Sequence, residues 1–123
     1  MKSKGFTLIE ILIVIGVLAL IFSFSFPSLR LFSAQLSLAA SAKALTSELR
    51  NVQSQAVLQH KTLSPDLSKL RFPPGIKLIN LSSISFSASG FPPPGGSGTI
   101  ILQNRLGQAR KIIVSSAGRV RVE

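Results

Sequence analysis

The chain has 123 residues, room for one domain rather than two. It contains no cysteine, which excludes a disulfide framework, a thiolate nucleophile and a cysteine-based metal site. Fourteen Lys and Arg stand against four Asp and Glu, an imbalance suited to an anionic partner such as nucleic acid, lipid or an acidic protein surface.

Phe6–Phe26, FTLIEILIVIGVLALIFSFSF, is an apolar run of 21 residues. As a helix it would be roughly 31 Å long, enough to cross the hydrocarbon core of a bilayer. Lys2 and Lys4 precede it, so the positive-inside rule predicts a cytoplasmic N-terminus, with everything after Pro27 outside the cytoplasm. Glu10 is the one charged residue in the run. A carboxylate there costs about 2.5–3.5 kcal/mol on insertion scales. Two readings are open: Glu10 is wetted or protonated near the interface, or it pairs with a cation and serves a purpose. A secretory signal peptide is a further alternative, with Ala40-Ser41-Ala42 as a small-x-small cleavage site. Against it, the apolar core is too long and that site lies far beyond its end.

Pro27 predicts a kink or local loosening, because proline removes a helical hydrogen bond and crowds the preceding turn. Beyond it, Leu31, Ala34, Leu38, Ala42, Leu45, Leu49, Val52 and Ala56 follow at alternating steps of three and four, one stripe of a second helical segment. Ser33, Gln35, Ser41, Lys43, Ser47, Arg50 and Gln53 mostly fill the other faces. The stripe could be a coiled-coil seam, but its many alanines and lack of placed charge pairs favour packing on the protein's own sheet. The helix should stop near His60–Leu63, before Pro65.

From Ser64 the composition turns to Pro, Gly, Ser and β-branched residues. Expected strands are Ile76–Leu81, Ile84–Ala88, Thr99–Gln103, Arg110–Val114 and Arg119–Val122. Asn104–Gly107 and Ser115–Gly118 read as hairpin turns, and Gly90–Gly98 as a loop too proline-rich for a central strand. So small a sheet needs the helix stripe as its other wall. The expected fold is α+β: a long N-terminal helix, transmembrane then amphipathic, packed on a small antiparallel β-sheet head. The segments are 1–5, 6–27, 28–63 and 64–123.

No Asp or Glu occurs between Leu67 and Val122, yet Lys69, Arg71, Lys77, Arg105, Arg110, Lys111, Arg119 and Arg121 do. If Val114 pairs with Arg119, then Arg110, Arg119 and Arg121 share one face and Ile113, Val120 and Val122 the other. Arginines so presented can grip phosphates, with Lys111 and Arg105 assisting. Solubility, anionic lipid or an acidic neighbouring protein would also account for these charges. No aromatic interleaving supports base stacking, since Tyr and Trp are absent and Phe91 is the nearest candidate. No active site is expected: His60 is the only histidine and Asp66 the only aspartate. No metal site or nucleophile-base pair can be completed from them, and no cofactor is implied.

Lys4-Gly5-Phe6-Thr7-Leu8-Ile9-Glu10, followed by the apolar stretch, resembles the N-terminal signature of type IV prepilins and type II secretion pseudopilins. The resemblance implies cleavage between Gly5 and Phe6 by a prepilin peptidase and N-methylation of Phe6. It further implies pairing of Glu10 with a neighbouring subunit's N-terminal amine, and passage from the inner membrane into a periplasmic or surface filament of pilin or pseudopilin subunits. Thr99-Ile100-Ile101-Leu102, Gly107, Ile112-Ile113-Val114-Ser115 and Gly118-Arg119-Val120-Arg121 resemble the closing hairpins of GspH/FimT-type minor pseudopilins and pilins. Some of these bind DNA through a Gly-Arg-x-Arg element, which Gly118–Arg121 matches. The chain is shorter than most members between the helix and the last strands, so a complete two-sheet head is not implied. A secretion pseudopilin without DNA contact and an uncleaved membrane-anchored binding protein are the competing readings.

Overall fold

A computed structural model describes residues 5–123. Met1–Lys4, with Lys2 and Lys4 and most of the expected leader, lie outside the described residues. The chain divides into two units, residues 1–33 and 34–123.

One α-helix, α1, spans Leu8–Gln59 with Pro27 inside it. In the first unit its apolar residues are exposed all round, from Leu8 to Phe32. Near the proline, the Ser25 hydroxyl donates to Ile21 O at 3.1 Å and the Ser28 hydroxyl to Ser25 O at 2.8 Å. Neither bond reaches the Ser23 carbonyl, four residues before Pro27, which is the one that loses its helical donor to the proline.

In the second unit α1 packs against a four-stranded antiparallel sheet. The strands are β1 (Lys77–Leu81), β2 (Gly98–Gln103), β3 (Ala109–Val114) and β4 (Val120–Val122), in that spatial order. The buried apolar core takes Leu38, Ala42, Leu45, Leu49, Val52 and Ala56 from the helix. Facing them are Ile84, Phe86, Ile100, Leu102, Ile112 and Val114. The expected stripe is thus buried from Leu38 onward, while Ala34 is half-buried and Leu31 exposed. Ser41, expected on a polar face, is also buried, its hydroxyl donating to Ser37 O at 2.8 Å. That bond removes the cost of an unpaired buried hydroxyl.

One expected strand is corrected. Ile84–Ala88 has the right alternation, with Ile84 and Phe86 buried, but forms no strand. Its backbone bonds go to loops: Phe86 pairs with Leu63, Ser85 N–H donates to Gly96 O, and Ser87 N–H to Phe91 O. Alternation reports burial, not the identity of the hydrogen-bond partner. Asp66 caps the short 3₁₀ turn Leu67–Lys69. Hydrogen bonds from the Ser68 hydroxyl and then its N–H hold the Asp66 carboxyl below the usual carboxylate range. The small stabilisation that follows is present at neutral pH and lost as pH falls through that lowered value.

The helix ends one residue before His60. Lys61 N–H donates to Ala56 O at 3.2 Å and His60 N–H to Val57 O at 3.3 Å, the two bonds of a Schellman motif. His60 occupies its left-handed position at φ 51°. A side chain there costs about 1–2 kcal/mol, whereas glycine gives back only about 0.4–1 kcal/mol in unfolded-state entropy. His60→Gly is therefore expected to stabilise the head by roughly 0.5–1 kcal/mol, read as a rise in unfolding midpoint of the full chain in detergent.

Candidate functional site

At the N-terminus, Gly5 and Phe6 precede the helix and are exposed, so the bond between them is free of helical hydrogen bonding. Thr7 starts the helix: its carbonyl and Oγ1 accept the Glu10 N–H at 3.1 and 3.4 Å. Thr7-x-x-Glu10 is the spacing of a capping box, and it puts the carboxylate in the first turn, where the helix dipole favours a negative charge. A Thr three residues before a Glu at the head of an apolar run is itself a sequence signal for this start, which the charge and hydropathy pattern alone does not show. Phe6, Glu10, Ile11, Val14 and Ile15 line one shallow groove of about 230 Å³. Among the described residues the ion pair is Lys69–Asp66, and Glu10 forms none.

In the head, the sharing of faces differs from expectation. Ser115 N–H donates to Arg119 O at 3.0 Å and Gly118 N–H to Ser115 O at 2.9 Å. The loop is therefore three residues long and closes through left-handed Gly118 at φ 73°. Val114 pairs with Val120, not Arg119, and Ile113 pairs with Arg121. A one-residue shift of register exchanges the faces of a whole strand. Val120 and Val122 consequently share the core side with Ile112 and Val114. Arg119 and Arg121 share the outer side with Ile113 and Lys111.

Arg110 does not join them. It falls on the helix-facing side with Leu102 and Ile112. There it lines one cleft with Gln35, Leu38 and Gln108, and another with Ala39, Lys43 and Val122. Arg105 is exposed in the Asn104–Gly107 turn, at the opposite end of β3 from Arg119 and roughly 23 Å away at 3.3 Å per residue. Its side chain passes over Gly75, where an added Cβ would come within 2.7 Å of Arg105 Nε. Lys77, opposite Gln103, adds a cation to the outer face that the candidate set had left out. That placement depends on the β1–β2 register, which no local turn specifies. Glu123, bonded through its backbone to Lys111, is the acid on this face. Among the described residues none of these cations forms a salt bridge.

Residues 1–26 match the prokaryotic N-terminal methylation motif. Over these residues the chain is type IV prepilin-like. Searches among curated proteins and among solved structures found no match. The motif supports a pilin-like subunit with prepilin cleavage and methylation, and it implies a prepilin peptidase and other pilin subunits as partners. The long apolar stretch of α1 fits the membrane anchor of such a subunit.

In this prepilin-like chain the turn that sets the arginine face is fastened to the helix by one side chain. Gln53 Nε2 donates to Gly90 O at 2.7 Å and to Gly118 O at 3.1 Å, joining two loops distant in sequence. A Cβ at Gly118 would stand 2.9 Å from Gly90 O and 3.0 Å from Gln53 Nε2, on a backbone that disfavours any side chain. Gly118→Ala is expected to cost roughly 1–3 kcal/mol and to raise amide exchange across β4, measured by denaturant unfolding and hydrogen exchange.

Proposed function

We propose that this prepilin-like chain is a minor filament subunit whose head binds DNA through Arg119, Arg121 and Lys111. The membrane part of the reading begins with cleavage between Gly5 and Phe6. That bond is exposed and outside the helix, as a peptidase requires. Cleavage leaves an ammonium on Phe6, which is then methylated. In or beside the apolar layer that ammonium and the Glu10 carboxylate are each costly, by several kcal/mol per ion. Pairing Glu10 of an incoming subunit with the amine of its neighbour relieves both and sets the axial register. The two lysines before the apolar run support a cytoplasmic N-terminus and a head outside the cytoplasm.

The observation that carries the DNA reading is the outer face of the sheet. It gathers Arg119, Arg121, Lys111 and Lys77, and none of them forms a salt bridge among the described residues. Arginine binds phosphate bidentately, and each neutralised phosphate adds a salt-dependent increment to affinity. Arg110 and Arg105, on the helix-facing side and at the far turn, have no part in this face and are left out of the proposal.

Two experiments test the reading. In cells, replacing Gly5 by Val should leave an uncleaved precursor, while Glu10→Ala should be cleaved normally but be missing from sheared filaments. A normal-sized mature product from the Gly5 variant would refute the processing step, and wild-type incorporation of Glu10→Ala would refute the pairing. For DNA, the full chain in neutral detergent micelles is titrated with labelled duplex across a salt series. Replacing both Arg119 and Arg121 by Ala should weaken binding and flatten the log–log salt slope by about 1 per lost contact, whereas Arg110→Ala should change neither. Absence of binding at low salt would remove the DNA role and leave a filament subunit of the secretion or assembly kind.

A further inference from the structure

The surface feature that the filament and phosphate readings do not use is a cleft beside the Gly118 turn. It measures about 500 Å³ and is lined by Gln53, Ser54, Val57, Leu58, Ser89 and Phe91, together with the backbone of Gly90. That size falls within the roughly 300–1,000 Å³ typical of small-ligand pockets. No charged side chain lines it. Phe91 is 55 % exposed, Val57 41 % and Leu58 79 %, so a sizeable apolar surface is left in water next to a packed core.

The ring is presented by a stiff support. Ser87 N–H and its hydroxyl both donate to Phe91 O, at 2.9 and 2.8 Å, and Gly90 N–H returns to Ser87 O at 2.9 Å. Gly90, left-handed at φ 81°, lets the loop approach the helix: a Cβ there would be 3.1 Å from Val57 Cγ2. Pro92 and Pro93 follow directly and restrict the backbone further. An aromatic side chain carried on a turn with these bonds is prepared for contact, because the backbone entropy of ordering the turn is already lost.

What singles out the occupant is the neighbour. A Cβ at Gly118 would lie 3.7 Å from Phe91 Cδ1, and the next residue is Arg119. The apolar cleft and the cationic face thus meet at one turn. We infer that this cleft receives an unpaired nucleobase, stacked on Phe91, from a single strand whose phosphates run toward Arg119 and Arg121. The inference rests on the DNA-binding reading above and extends it to the class of strand. A base has flat apolar faces for Phe91, Val57 and Leu58, and a polar edge for Ser54, Ser89 and the Gln53 amide. Gln53 spends its amide hydrogens on Gly90 and Gly118, which leaves its Oε1 to accept from an exocyclic amine. The helix also ends here, and its carbonyl end disfavours phosphate, so the backbone must lie on the Arg119 side. Bases inside an intact duplex cannot reach the ring.

The test compares a labelled oligothymidine strand with a duplex of equal length, titrated into the full chain in neutral detergent micelles. Phe91→Ala should weaken single-strand binding about 5- to 150-fold, the span of one lost stacking contact. It should leave duplex affinity and both salt slopes unchanged, and Phe91→Trp should restore single-strand binding. The double Arg119 and Arg121 variant should weaken both substrates and flatten both slopes. Equal binding of single strand by Phe91→Ala and parent would overturn the stacking site while the DNA reading stands. An equal loss on both substrates would also overturn it, because the ring would then be supporting the fold. Binding of neither substrate by the parent would overturn both proposals together.

Discussion

The head depends on the burial of one helical stripe, Leu38 to Ala56, against the inner faces of β2 and β3. Half of its buried apolar residues come from the helix, and each large side chain contributes about 1.5–3 kcal/mol by leaving water. Four short strands could not bury enough by themselves. With the helix as their second wall, Ile100, Leu102, Ile112 and Val114 become fully enclosed. Once that side of the sheet is fixed as the interior, the alternation of the strands leaves no choice about where their charges go. Lys77, Lys111 and Arg121 fall on the outer side because their neighbours in the chain are needed within.

Two left-handed glycines complete the arrangement. Gly107 and Gly118, at φ 80° and 73°, close the β2–β3 and β3–β4 hairpins with three-residue loops. Each adds one residue to its loop relative to a tight turn, and in a strand one residue decides which face a side chain occupies. Gln53 then ties the second of these turns to the helix and to the Gly90 loop. The proposed phosphate grip and the proposed base cleft therefore meet at a turn whose position is set by the same core. A disturbance of Gly118 or Gln53 would be felt by both.

The N-terminal part of α1 has the opposite character. Its apolar side chains are exposed from Leu8 to Phe32. Surface of that extent fits the membrane anchor of a pilin-like subunit and, in the proposed filament, would be covered by other subunits. Glu10 is the exception within it. Its place in the first turn, after the Thr7 cap, suits the helix dipole, but the carboxylate still has no ion-pair partner among the described residues. A second chain's ammonium is the partner the proposed assembly supplies.

Much of this was legible in the residues themselves. The apolar run, the Gly5-Phe6 step and Glu10 declare themselves locally, because length, hydropathy and motif spacing need no partner to be read. The helical stripe and the two hairpin turns were equally readable, since 3.6-residue periodicity and Asn/Gly turn chemistry are local properties. Face and partner were not. Ile84–Ala88 alternates like a strand, yet its hydrogen bonds go to Leu63, Gly96 and Phe91, which lie elsewhere in the chain. Arg110 parts from Arg119 and Arg121 because the left-handed Gly118 moves the register by one. The juxtaposition of Phe91 with the Gly118 turn has no trace in sequence at all, the two being 27 residues apart and brought together by packing and by Gln53. Sequence determined which segments would be helix, turn and anchor. Tertiary structure alone decided which side chains share a surface, because that depends on pairing between distant backbones.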